Sequence, residues 1–331
     1  MRGKRRNAPE LPDASAGTPE ERRERARQDF TFFRRAYFPH YCLVGGDSRL
    51  HEWLDAELPR MADAPEGVRL AIAAPRGEAK STFVSLFFVL WAVLTGRKHY
   101  ILIIADALEQ AASLLGAVKD ELEFNEALKR DFPGAGKGHV WNVGTVVTPG
   151  NVKIQALGAG KRMRGLRHGP HRPDLIVLDD LENDGNVDKP EQRDKLQSWL
   201  QKTVLNLGAA DGSMDVVYVG TLLHYDSVLA RTLRKPLWKA RTFRSILRWP
   251  DRMDLWDEWE SLLSSRGEAE ARRFYRQHRA KMEAGAEVSW PASRPLYRLM
   301  CLRAEDREAF DSEQQNDPLS ANEAPFNGCI T

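Results

Sequence analysis

Four short runs rich in apolar and β-branched residues recur along the chain: Arg69 to Ala73, Tyr100 to Ala105, Asp174 to Asp179 and Asp215 to Gly220. Longer stretches of helical character separate them, among them Ser81 to Leu94, Ala107 to Leu128 and Lys189 to Leu205. This alternation narrows the possible folds more than any other feature. Strands joined through helices pair in parallel, because a parallel neighbour requires a crossover. The expectation is an α/β fold with a mostly parallel central sheet flanked by helices. "TVVTPGNVKIQALGAG" interrupts the pattern, since a Pro-Gly-Asn turn between two β-prone runs reads as an inserted hairpin. Beyond about Trp249 the sequence turns to charged helical segments without convincing strands, which reads as a small helical subdomain. Residues 1–29, mixed in charge and lacking an apolar face, read as a mobile arm or frayed helix.

Composition excludes several classes. With 42% hydrophobic and 29% charged residues, the 331-residue chain can bury a real core. A net charge of +2 argues against uniform coating of nucleic acid, so such binding would have to come from local patches. Cys42, Cys301 and Cys329 are scattered and form no CxxC, which suits a reducing compartment. "STFVSLFFVLWAVLTG" is too short to span a bilayer comfortably and reads as a buried helix. No apolar signal region follows the basic start "MRGKRR".

Three strand ends carry candidate chemistry. After the first run comes "AAPRGEAKST", a degenerate form of the phosphate loop G-x-x-x-x-G-K-[ST]. Ala74 and Ala79 stand where glycines are expected, while Gly77, Lys80 and Ser81 fit. Between a strand and a helix, the loop from Pro75 through Thr82 would wrap phosphate, with the backbone N–H groups of Arg76, Gly77, Glu78, Ala79, Lys80 and Ser81 converging on it. Lys80 would reach the β- and γ-phosphates of ATP, and Ser81 would offer its hydroxyl to Mg²⁺. Alanine at position 79 costs about 1 kcal/mol relative to glycine if the backbone there needs a positive φ.

"RPDLIVLDDLEND" ends a buried strand in two carboxylates. Asp179 is the candidate Mg²⁺ residue, and Asp180 or Glu182 the group that polarises an attacking water. Taken alone, this is also how any buried strand ending in a solvated acidic turn looks. "DVVYVGTLLHYD" ends in Gly220 and Thr221, whose hydroxyl would sit where ligands of open α/β sheets gather. The intervening "GKRMRGLRHGPHRP" carries Lys161, Arg162, Arg164, Arg167, His168 and Arg172, suited to phosphate of DNA or of a nucleotide on an adjacent subunit. His40, Cys42 and His51 lack a fourth ligand at zinc-like spacing and read as structural.

In combination, "APRGEAKST", "MRGLRHGPHRPDLIVLDDLEN", "VYVGTLLHYDSVL" and "FDSEQQNDP" resemble the large terminase subunit of tailed bacteriophages, from about Phe30 to the C-terminus. The resemblance implies a P-loop NTPase core over 30–248, a helical lid over 249–310 and a linker over 311–331 leading to a nuclease domain. It implies ATP and Mg²⁺ as cofactors, with Lys80, Ser81 and Asp179 binding them. The base would be Asp180, one methylene shorter than the family's usual glutamate, or Glu182. Arg76 would be the loop arginine near the γ-phosphate, and Gly220 with Thr221 the element coupling hydrolysis to lid movement. Such motors act as homo-oligomeric rings on the capsid, with double-stranded DNA, a portal protein and a small terminase subunit as partners, in the cytoplasm of the bacterial host. Arg164 or Arg162 would complete a neighbour's site. Tyr41 or Arg49 would stack on adenine. The chain ends about where the nuclease should begin, so the expectation is ATP hydrolysis without DNA cleavage. The rival readings are another strand-translocating, helicase-like P-loop ATPase and a DNA-binding module with a decayed loop.

Overall fold

A computed structural model describes residues 16–42 and 45–318. Its central sheet has eight strands: β1 (Arg69–Ala73), β2 (Tyr100–Ala105), β3 (Val140–Trp141), β4 (Thr145–Val147), β5 (Lys153–Gly158), β6 (Leu175–Asp179), β7 (Asp215–Gly220) and β8 (Lys239–Thr242). Their spatial order is β3-β4-β5-β2-β6-β7-β1-β8. Strands β5 through β8 of that order pair in parallel, and the β4–β5 hairpin adds an antiparallel edge extended by β3. Every residue of β2, β6 and β7 is buried. That is the reason these strands read as continuous apolar runs, since helices cover both faces. One face packs on Phe33, Leu54, Phe88, Trp91 and Leu115, the other on Met163, Leu200, Val228 and Trp238. The fold is α/β, a mostly parallel central sheet flanked by helices, as the alternating runs implied. No described helix is long and apolar enough to cross a membrane.

The sheet order matters more than the strand count. β1 lies between β7 and β8, and β6 is the next strand beyond β7. All are parallel, so the carboxyl ends of β1, β7 and β6 lie side by side at one edge. Ligands of open parallel sheets bind at such an edge.

Several expectations need correction. The single helix expected over Ser81 to Leu94 is a π-helix over Thr82–Phe88 followed by an α-helix over Val89–Leu94. The helix expected over Ala107 to Leu128 breaks at Asn125, whose side chain caps a second helix, Glu126–Asp131. Lys189 to Leu205 is helical over Pro190–Lys202 only, because a proline is well placed at the first turn and Val204–Asn206 tightens into a 3-10 turn. β8 was not foreseen: its Lys-Ala-Arg-Thr sequence is exposed, as suits an edge strand. One strand falls in the region read as purely helical, β10 (Glu287–Val288), which pairs antiparallel with β9 (Ile246–Arg248) just ahead of that region.

Two terminal segments are more ordered than expected. Residues 1–15 of the arm lie outside the described residues, but Pro19–Gln28 is a helix with a capping box between Thr18 and Glu21. Arg22 forks onto the buried carboxylate of Asp131, at 2.7 and 2.5 Å, where the Tyr37 hydroxyl also donates at 2.9 Å. At the other end, Met253–Arg266, Glu268–Met282, Leu296–Glu305 and Arg307–Glu313 enclose a separate core of Trp256, Trp259, Tyr275, Leu299 and Phe310. The stretch read as linker from 311 stays helical to Glu313, and Gln314, Gln315 and Asn316 are buried against the sheet domain. Residues 319–331 lie outside the described residues.

Burial alone would raise the Asp131 carboxyl, but hydrogen bonds from Arg22, Arg130 and Tyr37 outweigh it and hold the group below the ordinary carboxylate range. A lowered carboxylate stabilises the fold above its unfolded value, near pH 4, and that contribution fades as pH falls further. Asp131→Asn should cost about 2 kcal/mol, less than a fully enclosed pair because Arg130 is half-exposed. It should also flatten the acid limb of a pH–stability curve measured by urea denaturation.

Candidate functional site

The loop after β1 is tied to its neighbour from the start. Ala74 N–H donates to Gly220 O at 2.9 Å, and the Thr221 hydroxyl donates to Ala74 O at 3.2 Å. The chain then turns through two left-handed residues, Gly77 (φ 81°) and Ala79 (φ 56°). Position 79 therefore demands what glycine supplies freely, and alanine occupies it under strain. Sequence and structure agree on this cost.

From that turn Lys80 and Ser81 face β6. The Lys80 ammonium lies 3.2 Å from Asp180 Oδ2, and the Ser81 hydroxyl donates to Asp179 Oδ1 at 2.9 Å. Ser85, four residues on and so on the same helical face, donates to Asp179 Oδ2 at 2.5 Å. Burial, and then the adjacent Asp180 charge, push the Asp179 carboxyl upward, while the two hydroxyls and Lys80 oppose the shift. Asp180 itself takes a left-handed backbone (φ 45°), tolerated by aspartate, which turns its side chain from the strand toward Lys80. Mg²⁺ takes hard oxygen donors. Ser81 and Asp179 are such donors, and a buried carboxylate offset mainly by hydroxyl dipoles suits a cation. The residues fit the ion.

Arg76, Asp180, Glu182 and Thr221 meet around one cleft of about 190 Å³, with Asp106 and Asn183 completing its wall. Their states differ. Both Glu182 oxygens accept from the start of the Val228–Leu233 helix, from Val228 N at 2.7 Å and Leu229 N at 3.1 Å, and Tyr218 adds a third bond. Glu182 is thereby engaged as a helix cap. The Asp180 carboxylate has one ion pair among the described residues, with the buried ammonium of Lys80. The Arg76 guanidinium is exposed and ion-paired with Glu313, while its backbone N–H donates to Glu313 O at 2.9 Å.

Other sequence candidates are placed less centrally. Glu78 does not face the loop's concavity: its buried carboxylate accepts from Ser289, and its carbonyl accepts from His51 Nε2 at 2.9 Å. His51, stacked on Phe83, is thus a prop beneath the loop. His40 pairs with Glu121. Tyr41, Thr82, Phe83, Phe87 and Trp290 line a cavity of about 270 Å³ that reaches Ala79. Arg49 is absent from its lining and pairs with Glu52 and Glu287. Arg162 and Arg164 are exposed, in the segment that follows the end of β5. β2, β6 and β7 separate that strand from β1, and neither arginine lines the cleft around Asp180 and Thr221.

Sequence reasoning missed four contributors. Ser85 carried a signal, as a lone hydroxyl in an apolar helix four residues after Ser81. Asn183 and Asn186, which bind Asp106 across the cleft, and Arg294, whose guanidinium lies against Gly77, carried none.

No family model and no curated protein matches the chain. Among solved structures it is similar to the large terminase ATPase domain of Thermus phage P74-26, at 15% identity and a TM-score of 0.39, covering 79% of this chain and 92% of that one. An arginine-to-alanine mutant of the same domain gives 14% identity and a TM-score of 0.36, over 77% and 90% of the two chains. Likenesses this distant say nothing by themselves about activity.

Ala79→Gly should relieve the left-handed strain and raise stability by about 0.5–1 kcal/mol, read as a higher midpoint in denaturant. Glu182→Ala should cost about 1–2 kcal/mol by uncapping the Val228–Leu233 helix, with faster amide exchange at Val228 and Leu229 as the local readout.

Proposed function

We propose that the chain is an ATPase whose phosphate loop, metal residues and base meet at the carboxyl edge of the sheet, and that it is the motor part of a terminase-type machine moving double-stranded DNA. The observation that carries the reading is the double contact of Lys80 with Asp180 and of Ser81 with Asp179. These four groups come from two segments about a hundred residues apart, and together they supply what phosphoryl transfer asks of a protein: a cation for the phosphates, oxygen donors for Mg²⁺ and a carboxylate for water.

Loop N–H groups from Arg76 through Ser81 cradle the phosphates, aided by the positive end of the following helix. Ser81 and Asp179 would hold Mg²⁺, which would supply charge neutralisation of the phosphates. Lys80 exchanges its ion pair with Asp180 for one with phosphate. Freed in this way, Asp180 orients a water molecule in the cleft and takes its proton. The water oxygen bonds to the γ-phosphorus as the bond to the bridging oxygen breaks, giving ADP and inorganic phosphate. Asp180 suits this role better than Glu182, whose oxygens are committed to a helix N-terminus. Thr221, bonded to the loop strand at Ala74, passes the state of the site to the segment beyond β7. The cavity beside Tyr41 takes the base.

The resemblance in "FDSEQQNDP" and the basic segment extends the reading to a ring on a portal protein, with a small terminase subunit as partner. Arg164 or Arg162, exposed and outside the cleft of its own chain, is then available to a neighbour's nucleotide, and the subdomain over 249–310 serves as lid.

Purified chain should hydrolyse ATP in Mg²⁺ buffer, and Lys80→Ala, Asp179→Ala and Asp180→Asn should each lower kcat by about 10²-fold or more. A wild type no faster than these variants would defeat the ATPase reading. Stimulation by duplex DNA together with binding to a portal ring would support the motor assignment, and absence of portal binding would count against it.

A further inference from the structure

Arg294 precedes the Leu296–Glu305 helix in the helical subdomain, more than two hundred residues from the phosphate loop, yet its guanidinium lies directly on that loop. A Cβ on Gly77 would be 1.9 Å from Arg294 Nη2 and 2.8 Å from Cζ. Gly77 is thus needed for its positive φ and for the close approach of this side chain. The partner of Arg294 is a neutral one: Nη1 donates to Gln314 Oε1 at 2.5 Å. Among the described residues no carboxylate forms an ion pair with it. Burial pulls its pKa down, and only the more distant charges of Glu78 and Glu313 act in the other direction. A half-buried guanidinium bearing the cost of desolvation without a counter-ion is unusual, because such groups are normally paired. Arg76, the loop's own arginine, is in the opposite condition, exposed and already paired with Glu313.

We propose that Arg294 is a catalytic residue that contacts the terminal phosphate of a bound nucleoside triphosphate in cis, with Gln314 as its resting partner when phosphate is absent. This rests on the ATPase reading and adds a group to it. The planar fork of arginine suits phosphoryl oxygens, and the loop beneath is the part of the molecule built to gather anions. The same contact explains how the helical subdomain senses hydrolysis. Arg294 follows Ser289, which bonds Glu78 of the loop, and Gln314 in turn accepts from Ser245 at the start of β9. Loss of the terminal phosphate returns the guanidinium to Gln314, and the subdomain's hold on the loop changes with it.

The test uses the full chain and compares Arg294→Ala, Arg294→Lys and Lys80→Ala with wild type. Steady-state hydrolysis, affinity for fluorescent ATP and ADP analogues, and thermal melting are the readouts. The expected result for Arg294→Ala is a kcat about 10²–10³-fold lower, with ADP affinity within about threefold of wild type and partial recovery of turnover in millimolar guanidinium. Arg294→Lys, which keeps charge and bulk, should melt like wild type and still turn over about tenfold or more slowly, because it lacks the fork. Wild-type kcat in either Arg294 variant, with Lys80→Ala inactive, would overturn the role of Arg294 and leave the ATPase reading standing. A wild type that neither binds nor hydrolyses ATP would overturn both.

Discussion

A buried carboxylate at a strand end governs this structure. Asp179 is almost wholly enclosed, and an enclosed charge is tolerated only if polar groups are delivered to it. Ser81 and Ser85 deliver them from the first turns of the following helix, which fixes that helix against β6. Lys80 and Asp180, each next in sequence to one of these partners, are then brought together as well. The loop after β1 is held in place by these polar contacts as well as by the apolar helix behind it.

The same edge carries backbone strain. Ala79 and Asp180 both have left-handed backbones; one precedes Lys80 and the other is its ion-pair partner. Such conformations persist when the surroundings over-determine them. Here the surroundings are the π-helical turns after Ser81, the bond from Ala74 to β7, and the His51 imidazole held to the Glu78 carbonyl. Glu182 plays a quieter part by anchoring the helix that follows β7.

The C-terminal segment ties these pieces to the helical subdomain. Glu313 holds Arg76, Gln314 holds Arg294 and Ser245, and Asn316 accepts from Leu222 N and donates to Phe243 O, both at 2.8 Å. Four consecutive residues, Glu313 to Asn316, reach the phosphate loop, the helical subdomain and the strand ends on either side of β1. Removing any one of these bonds would loosen a joint between two cores rather than open a cavity in either.

The order of strands and helices, the hairpin after Thr145, the strained position at 79 and the two carboxylates after β6 were all legible in the chain, because each depends on local pattern: apolar runs, turn residues, a loop motif and its spacing. Spacing left Asp180 and Glu182 equivalent, since it says nothing about which carboxylate a distant helix will claim; the structure gives Glu182 to the Val228–Leu233 helix. β8 escaped notice because an edge strand buries little and needs no apolar run. The helix at Pro19 was legible only as a frayed one, because its anchor, Asp131, lies over a hundred residues away. What tertiary structure alone decided was adjacency: β7 between β1 and β6, Glu182 under a helix N-terminus, Arg294 on Gly77. Side chains far apart in sequence meet only when packing closes the loops between them, and no local pattern encodes that closure.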